Sequence, residues 1–159
     1  MDKRWLVLSI VVGFLFVLAA PTWADFQAGL DAYERGDYHT AMKEWRPLAN
    51  QGYPLAQATL GLMYAEGEGV AQDYQEAVRW YRLAAEQDHA SGQFSLGAMY
   101  IAGQGVLKDY VLAHMWMNLA AAKRVKKAGK GRDLLEILMT PAQLAEAQRL
   151  AREWRPKGK

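Results

Sequence analysis

A 36-residue internal repeat constrains this chain more than any other feature of its sequence. When the sequence is shifted by 36 residues, 53–87 align with 89–123 without a gap, and 15 of the 35 aligned pairs are identical. Unrelated segments of ordinary composition would share roughly 2 or 3 residues over that length. A period of this size is typical of arrays in which supersecondary units stack on one another. The sequence therefore predicts a stack of similar units.

Each unit has the pattern of two helices joined by a glycine loop. Leu60, Gly61 and Tyr64 share one face of a first helix. Gly67 and Gly69 then end that helix, because glycine readily adopts positive φ. A glycine within the helix, at Gly61, indicates a close crossing where no side chain fits.

The second helix of the unit begins at an aspartate. Asp73 is the predicted N-cap, with Glu76 three residues later completing a capping box. Ala77 and Trp80 then recur at helical spacing, so that small and large apolar residues pack against the first helix. We expect Trp80 and its repeat equivalent Trp116 to lie in the core.

A shorter unit precedes the two repeats. Tyr38 and Ala41 lie 36 residues before their counterparts, but the first helix, around 26–35, fits an offset of 32. The turn at Arg35-Gly36-Asp37 is therefore tight. Pro47 in the second helix predicts a kink or an early end.

The C-terminal segment departs from the repeat pattern. Residues 123–132 hold six basic residues and two glycines, which favours a frayed helix end followed by a loop. Thr140, Pro141 and Gln143 then have the order of an N-cap, an N1 proline and a capping-box partner. We expect the amphipathic helix that follows to seal the exposed end of the stack.

The N-terminus has the pattern of an export signal. Lys3 and Arg4 precede the uncharged, apolar segment 5–20, and small residues stand at the −3 and −1 positions of a cut after Ala24. The apolar run is short for a membrane span of about 20 residues. We therefore predict an exported chain, periplasmic or secreted, with an uncleaved N-terminal membrane anchor as the alternative.

Cysteine content and charge distribution narrow the classes of function. The chain has no cysteine, which excludes disulfides, thiolate zinc sites and cysteine catalysis. Residues 25–122 carry six Lys and Arg against twelve Asp and Glu, whereas residues 123–159 carry eleven against four. This basic tail predicts attraction to an anionic surface, with a solvated loop as the alternative. The candidate residues are Lys123, Arg124, Lys126, Lys127, Lys130 and Arg132.

The motif in residues 56–85 resembles the Sel1-like repeat. It reads Ala-Gln-x-x-Leu-Gly-x-Met-Tyr-x-x-Gly-x-Gly-Val-x-x-Asp, followed by Ala-x-x-Trp and Ala-Ala, and it recurs with Gly92 in place of Ala56. The resemblance implies an all-α fold, a short right-handed α-solenoid related to tetratricopeptide arrays, used mostly as an adaptor for protein partners. The predicted segments are a signal peptide (1–24), a degenerate capping hairpin (25–52), two repeats (53–88 and 89–124), and a basic loop with C-terminal capping helices (125–159).

The candidate binding face follows from this architecture. In hairpin arrays the first helices line the concave face. Side chains beside the packing positions form a mostly apolar strip that suits an extended peptide or a partner helix, with packing between units as the alternative. The candidate residues are Ala58, Leu62, Glu66, Phe94, Ala98 and Ile101.

Little in the sequence predicts catalysis. The chain's histidines are His39, His89 and His114. None has a carboxylate at the spacing of a metal site, and the carboxylates Glu66 and Glu68 have no equivalents in the second unit. We expect an adaptor for a protein or peptide partner, with no cofactor, metal or nucleic acid. The alternatives are an envelope hydrolase and a self-associating structural protein.

Overall fold

The described part of the chain, residues 23–157 of a computed structural model, is helical and contains no strand. Its helices are α1 (Trp23–Glu34), α2 (Tyr38–Asn50), α3 (Pro54–Glu66), α4 (Tyr74–Glu86), α5 (Ala90–Ala102), α6 (Tyr110–Ala122), α7 (Lys126–Leu138) and α8 (Pro141–Glu153). The signal peptide predicted for residues 1–24 lies almost entirely outside this range. Among the helices of residues 23–157, none has the length and apolar character needed to span a membrane.

The helices stack as hairpins. α1 packs on α2, α3 on α4 and α5 on α6, and each second helix also packs on the first helix of the following unit. The two repeat tryptophans are buried, with Trp80 4% and Trp116 8% exposed, as the sequence predicts. This arrangement confirms an all-α solenoid.

Aspartates begin the second helices as expected. The Asp73 carboxylate accepts hydrogen bonds from the backbone N–H groups at the start of α4, and Asp109 does the same at the start of α6. The capping box predicted at Glu76 is wrong. The backbone N–H of Asp73 donates to the carbonyl of Tyr64 at 2.9 Å, so Glu76 pairs with Arg79 instead, at 2.9 Å.

Gly61 and Gly97 allow the two helices of each repeat to cross closely. A Cβ added at Gly61 would lie 2.5 Å from the ring of Tyr81 on α4. At Gly97 it would lie 3.2 Å from the flexible side chain of Met117 on α6. The two repeats therefore share the glycine and differ in the residue that covers it.

Alanine substitutions at Gly61 and Gly97 should have different effects on stability, because the residue that covers each glycine differs. We expect Gly61→Ala to lower the free energy of unfolding by about 1–3 kcal/mol, because the added Cβ would meet the rigid ring of Tyr81, which must shift as a whole. Gly97→Ala should cost less than Gly61→Ala, because Met117 can adjust and alanine is better than glycine in a helix by about 1 kcal/mol, although the carbonyl of Ala113 would also lie 3.3 Å from the added Cβ. Urea unfolding of both variants checks this. Adding Tyr81→Met to Gly61→Ala should recover stability, and equal losses at both glycines would contradict the explanation.

α2 continues through Pro47, so the predicted early end is wrong. The helix reaches Asn50, and the carbonyl of Pro47 accepts a hydrogen bond from the backbone N–H of Gln51 at 3.0 Å. Leu48 and Ala49, which follow the proline, are 7% and 2% exposed. Their burial holds the last turn in place.

The basic segment predicted as a loop is instead helical from Lys126 onward and forms the first part of α7. Ala128 and Leu135 are 0% and 2% exposed and share a core cluster with α6. This packing outweighs the poor helix propensity of Gly129 and Gly131, roughly 1 kcal/mol each. α7 begins 36 residues after α5, as α5 does after α3. It therefore occupies the position that the first helix of a third repeat would have.

α8 packs against α6 and does not pair with α7. Thr140 and Gln143 form both hydrogen bonds of the predicted capping box. Met139 and Thr140 have extended backbone and connect α7 to α8. The ring of Trp154 then lies 6.0 Å from that of Trp116 on α6. α8 therefore covers the α6 side of the end of the stack, whereas the outward side of α7 stays exposed.

Candidate functional site

Two adjoining hollows lie between α3 and α5, and we call the surface that contains them the α3/α5 face. The first has a volume of about 210 Å³ and is lined by Leu55, Ala58, Thr59, Leu62, Tyr81, Ser91 and Ser95. The second, of about 270 Å³, is lined by Ala65, Glu66, Tyr74, Tyr81, Phe94, Ser95, Ala98, Met99 and Gln104. Tyr81 and Ser95 line both hollows and so form the boundary between them.

The structure places five of the six predicted binding residues in these hollows. Ala58 and Leu62 line the first, whereas Glu66, Phe94 and Ala98 line the second. The sixth residue lines neither hollow and packs, half-buried, against the core cluster shared by α6 and α7; it is Ile101. Phe94 and Ala98 contact that cluster as well. Their role in binding stays a prediction, because packing between units accounts for part of their burial.

Tyr81 is the residue of this face that the sequence analysis missed. Its burial raises the pKa of the phenol to about 12, a hydrogen bond with Ser95 opposes the rise, and the charge of Glu66 adds to it. The hydroxyl of Tyr81 is therefore protonated at neutral pH and cannot act as a base. The signal that could have found it is Gly61, since a glycine inside a helix indicates a bulky neighbour.

Glu66 and Glu68 do not act as a pair. Glu66 faces the second hollow, whereas the carboxylate of Glu68 accepts a hydrogen bond from the hydroxyl of Tyr33 on α1 at 2.7 Å. That bond, together with burial, raises the pKa of Tyr33 to about 12. Glu68 therefore ties the loop of the first repeat to α1 and is turned away from the α3/α5 face.

The six basic residues of the tail divide into two groups. Lys123 pairs with Asp88 at 2.8 Å, and Arg132 pairs with Asp133 at 2.7 Å. The other four are exposed and form no ion pair with another described residue; they are Arg124, Lys126, Lys127 and Lys130. The uncompensated positive charge is therefore concentrated at the start of α7.

The histidines lie apart from one another. His39 is exposed on α2, and burial lowers the pKa of His89, which stands just before α5. His114 on α6 is 1% exposed, and its Nε2 lies 3.1 Å from the carboxylate of Glu136 on α7. Nothing in the spacing of the sequence indicates Glu136 as the partner of His114. Within residues 23–157, no three His, Cys, Asp or Glu side chains form a group that could hold a metal ion.

The family model of the Sel1 repeat matches residues 54–89 and 90–124, which are the α3–α4 and α5–α6 hairpins. The chain contains two Sel1 repeats. Sel1 repeats are generally protein–protein interaction modules. No curated protein sequence matches the chain.

Two solved structures resemble this chain over most of its length. One is a protective antigen of uropathogenic Escherichia coli strains that displays an SLR fold, with 31% identity, a TM-score of 0.79, and coverage of 82% of this chain and 29% of that chain. The other is a Sel1 repeat protein from Oxalobacter formigenes, with 31% identity, a TM-score of 0.67, and coverage of 81% and 55%. The chain thus spans less than two thirds of either protein.

Proposed function

We propose that this chain is an exported adaptor that uses its α3/α5 face to bind a protein or peptide partner in the cell envelope and carries out no chemistry. The observation that carries the proposal is the pair of adjoining hollows on two successive first helices. The first offers Leu55, Ala58 and Leu62 to an apolar side chain. The second offers the Glu66 carboxylate and the Gln104 amide to a polar or basic group. A segment that alternates these two chemistries fits both hollows.

The sizes of the hollows favour side chains of a polypeptide over a free small molecule. Pockets for small-molecule ligands generally measure about 300–1,000 Å³, whereas these measure about 210 and 270 Å³. Each can accept one or two side chains. Two adjoining hollows of this size suit two side chains of an extended peptide or of one face of a partner helix.

The chemistry of this face also favours binding over hydrolysis. Glu66 has no second carboxylate beside it, because Glu68 is bonded to Tyr33. Tyr81 keeps its proton at neutral pH since its pKa is raised to about 12. Neither residue therefore has the activated partner that general acid–base catalysis needs.

Export rests on the pattern of residues 1–24. Intact mass measurement of the protein from its native host, together with fractionation of the cells, tests this part. A chain that begins at Asp25 in the periplasm or medium supports export, and a full-length chain in the cytoplasm contradicts it.

Site-specific crosslinking tests the binding face. A photo-reactive amino acid replaces Leu62, which is 41% exposed on α3, or Leu83, which is 36% exposed on α4 and lines neither hollow. We expect a single protein to be captured in the native host from position 62 and not from the matched position 83.

The captured protein then allows a quantitative check. Leu62→Asp should weaken its binding about fivefold or more, because truncating a buried interface anchor costs over about 1 kcal/mol, while Leu83→Asp leaves binding unchanged. Equal capture at both positions, or no capture while circular dichroism shows intact helices, would contradict the α3/α5 face as the binding surface.

A further inference from the structure

The outward side of α7 is an exposed surface with a mixed apolar and basic composition. At 3.6 residues per turn, six of its side chains fall within about one third of the helix circumference. We call them the outer arc: Lys126, Lys127, Lys130, Leu134, Ile137 and Leu138. The apolar members are 64%, 79% and 64% exposed, respectively. The opposite side of the helix carries the buried Ala128 and Leu135. The outer arc is thus turned away from the rest of the described chain.

The repeat register shows what kind of surface the outer arc is. Since α7 starts 36 residues after α5, Leu134 and Ile137 correspond to Ala98 and Ile101. In the preceding unit those two residues are partly buried in the cluster that contains α7. The outer arc therefore lies on the side of a first helix that faces the following unit, beside the main contact, in which the second helix packs on the next first helix.

The charges of the outer arc specify an acidic occupant. The lysines stand at the N-terminal end of α7, where the helix dipole disfavours positive charge. The carboxylates of α7 are engaged elsewhere, since Asp133 pairs with Arg132 and Glu136 contacts His114. An occupant that brings carboxylates beside apolar side chains would satisfy both halves of the outer arc.

The opposite end of the molecule has that complementary chemistry. A hollow of about 490 Å³ between α1 and α2 is lined by carboxylates and apolar groups, among them Asp25, Glu44, Ala28, Pro47 and Leu48. By the 32-residue offset, Ala28 corresponds to Leu60 of α3. Leu60 packs in the core cluster formed mainly by α1 and α2, the preceding unit. This hollow, which we call the N-terminal hollow, thus lies on the side of α1 that would meet a preceding unit.

We propose that the outer arc of α7 binds the N-terminal hollow of a second copy of this chain, so that copies stack head to tail. The contact brings the basic and apolar outer arc against a hollow that carries carboxylates and apolar groups. It joins two different surfaces, so each added copy presents a new outer arc and the assembly is open-ended. The proposal concerns surfaces distant from Leu62, and the α3/α5 face stays available along the stack.

The test uses residues 25–159, the form that the sequence predicts after export; the three core clusters begin at Phe26 and are retained. Sedimentation velocity should show species larger than a monomer that increase with protein concentration. High salt should weaken them, because exposed charges are screened. A chain that stays monomeric up to millimolar concentration at low salt would overturn the proposal.

Charge reversal at each end identifies the contact. Lys127→Glu/Lys130→Glu and Asp25→Lys/Glu44→Lys should each be monomeric, because each variant has two ends of like charge. Their equimolar mixture should assemble again, since each supplies the end that the other lacks. Self-assembly of either variant alone, or a mixture that stays monomeric, would overturn the proposal. Lys108→Glu/Arg152→Glu makes the same change in charge elsewhere on the surface and should assemble like the unmodified chain.

A second experiment distinguishes binding of the outer arc to another copy of the chain from binding to a membrane. Residues 25–159 are sedimented with vesicles of phosphatidylcholine alone or mixed with phosphatidylglycerol. No binding that depends on Lys127 and Lys130 is expected. Binding to the anionic vesicles by a chain that remains monomeric would assign the outer arc to a lipid surface and overturn self-assembly. Crosslinking from Leu62 is read separately, so the two proposals can fail independently.

Discussion

Replacing Gly105 with alanine is expected to lower the free energy of unfolding by about 2–5 kcal/mol, since it combines left-handed backbone strain with overpacking. Gly105 has φ +68° in the loop of the second repeat. A Cβ there would overlap the backbone carbonyl of Tyr74, the first residue of α4. A backbone carbonyl cannot rotate away as a flexible side chain can. The substitution must therefore lift the loop from the preceding unit.

Gly129 provides the matched control for this experiment. It lies in α7, and an added Cβ would have no atom within 4 Å. Gly129→Ala should stabilise the chain by about 0.5–1 kcal/mol, because alanine loses less backbone entropy in a helix. Urea unfolding of both variants gives the comparison. A Gly105→Ala variant as stable as the unmodified chain would show that the loop does not need this close contact.

Replacing Trp45 with alanine should cost about 3–5 kcal/mol of unfolding free energy, the range for removing a large buried aromatic side chain. Trp45 is 1% exposed. Its ring stacks on Phe26 with centroids 5.0 Å apart, and its Nε1–H donates to the carbonyl of Phe26 at 3.0 Å. The space for the ring depends on Gly29, where a Cβ would lie 2.6 Å from ring atom Cδ1. The capping hairpin therefore depends on this one side chain.

Trp45→Phe separates volume from hydrogen bonding. It keeps most of the ring and removes the indole donor, so the expected loss is about 1–2 kcal/mol. Thermal unfolding followed by circular dichroism measures both variants. If they melt at the same temperature, the cavity left by alanine is not the cause of the loss, and the explanation from packing is wrong.

The repeat register was predictable because the same physical requirements recur in each unit. Caps at Asp73 and Asp109, buried Trp80 and Trp116, and loop glycines appear at equal spacing, and each residue type has one main structural use. Five of the six candidate binding residues line the two hollows, because residues beside the packing positions of α3 and α5 share one face.

The C-terminal region was less predictable because its local composition and its tertiary packing disagree. Lysines and glycines around Gly129 favour a loop, whereas burial of Ala128 and Leu135 against α6 favours a helix. The composition of the segment shows only the first preference. A shift of 36 residues aligns 126–138 with α5. The repeat period therefore indicates a helix in this segment, although its composition favours a loop.

The side-chain partners of the site were also not recoverable from spacing alone. The Tyr81–Ser95 contact joins α4 to α5, and the His114–Glu136 contact joins α6 to α7. Both depend on how neighbouring helices cross. Periodicity reports which face of a helix is buried but not which atoms on that face meet.

The equal spacing of α3, α5 and α7 has a consequence for how such a chain can evolve. Because each first helix meets the same kind of neighbour at the same interval, duplication of one unit in the gene adds length without requiring a new type of contact. Selection can then change the length of the array by whole units, while the residues around an existing binding site stay the same. Size becomes adjustable separately from specificity.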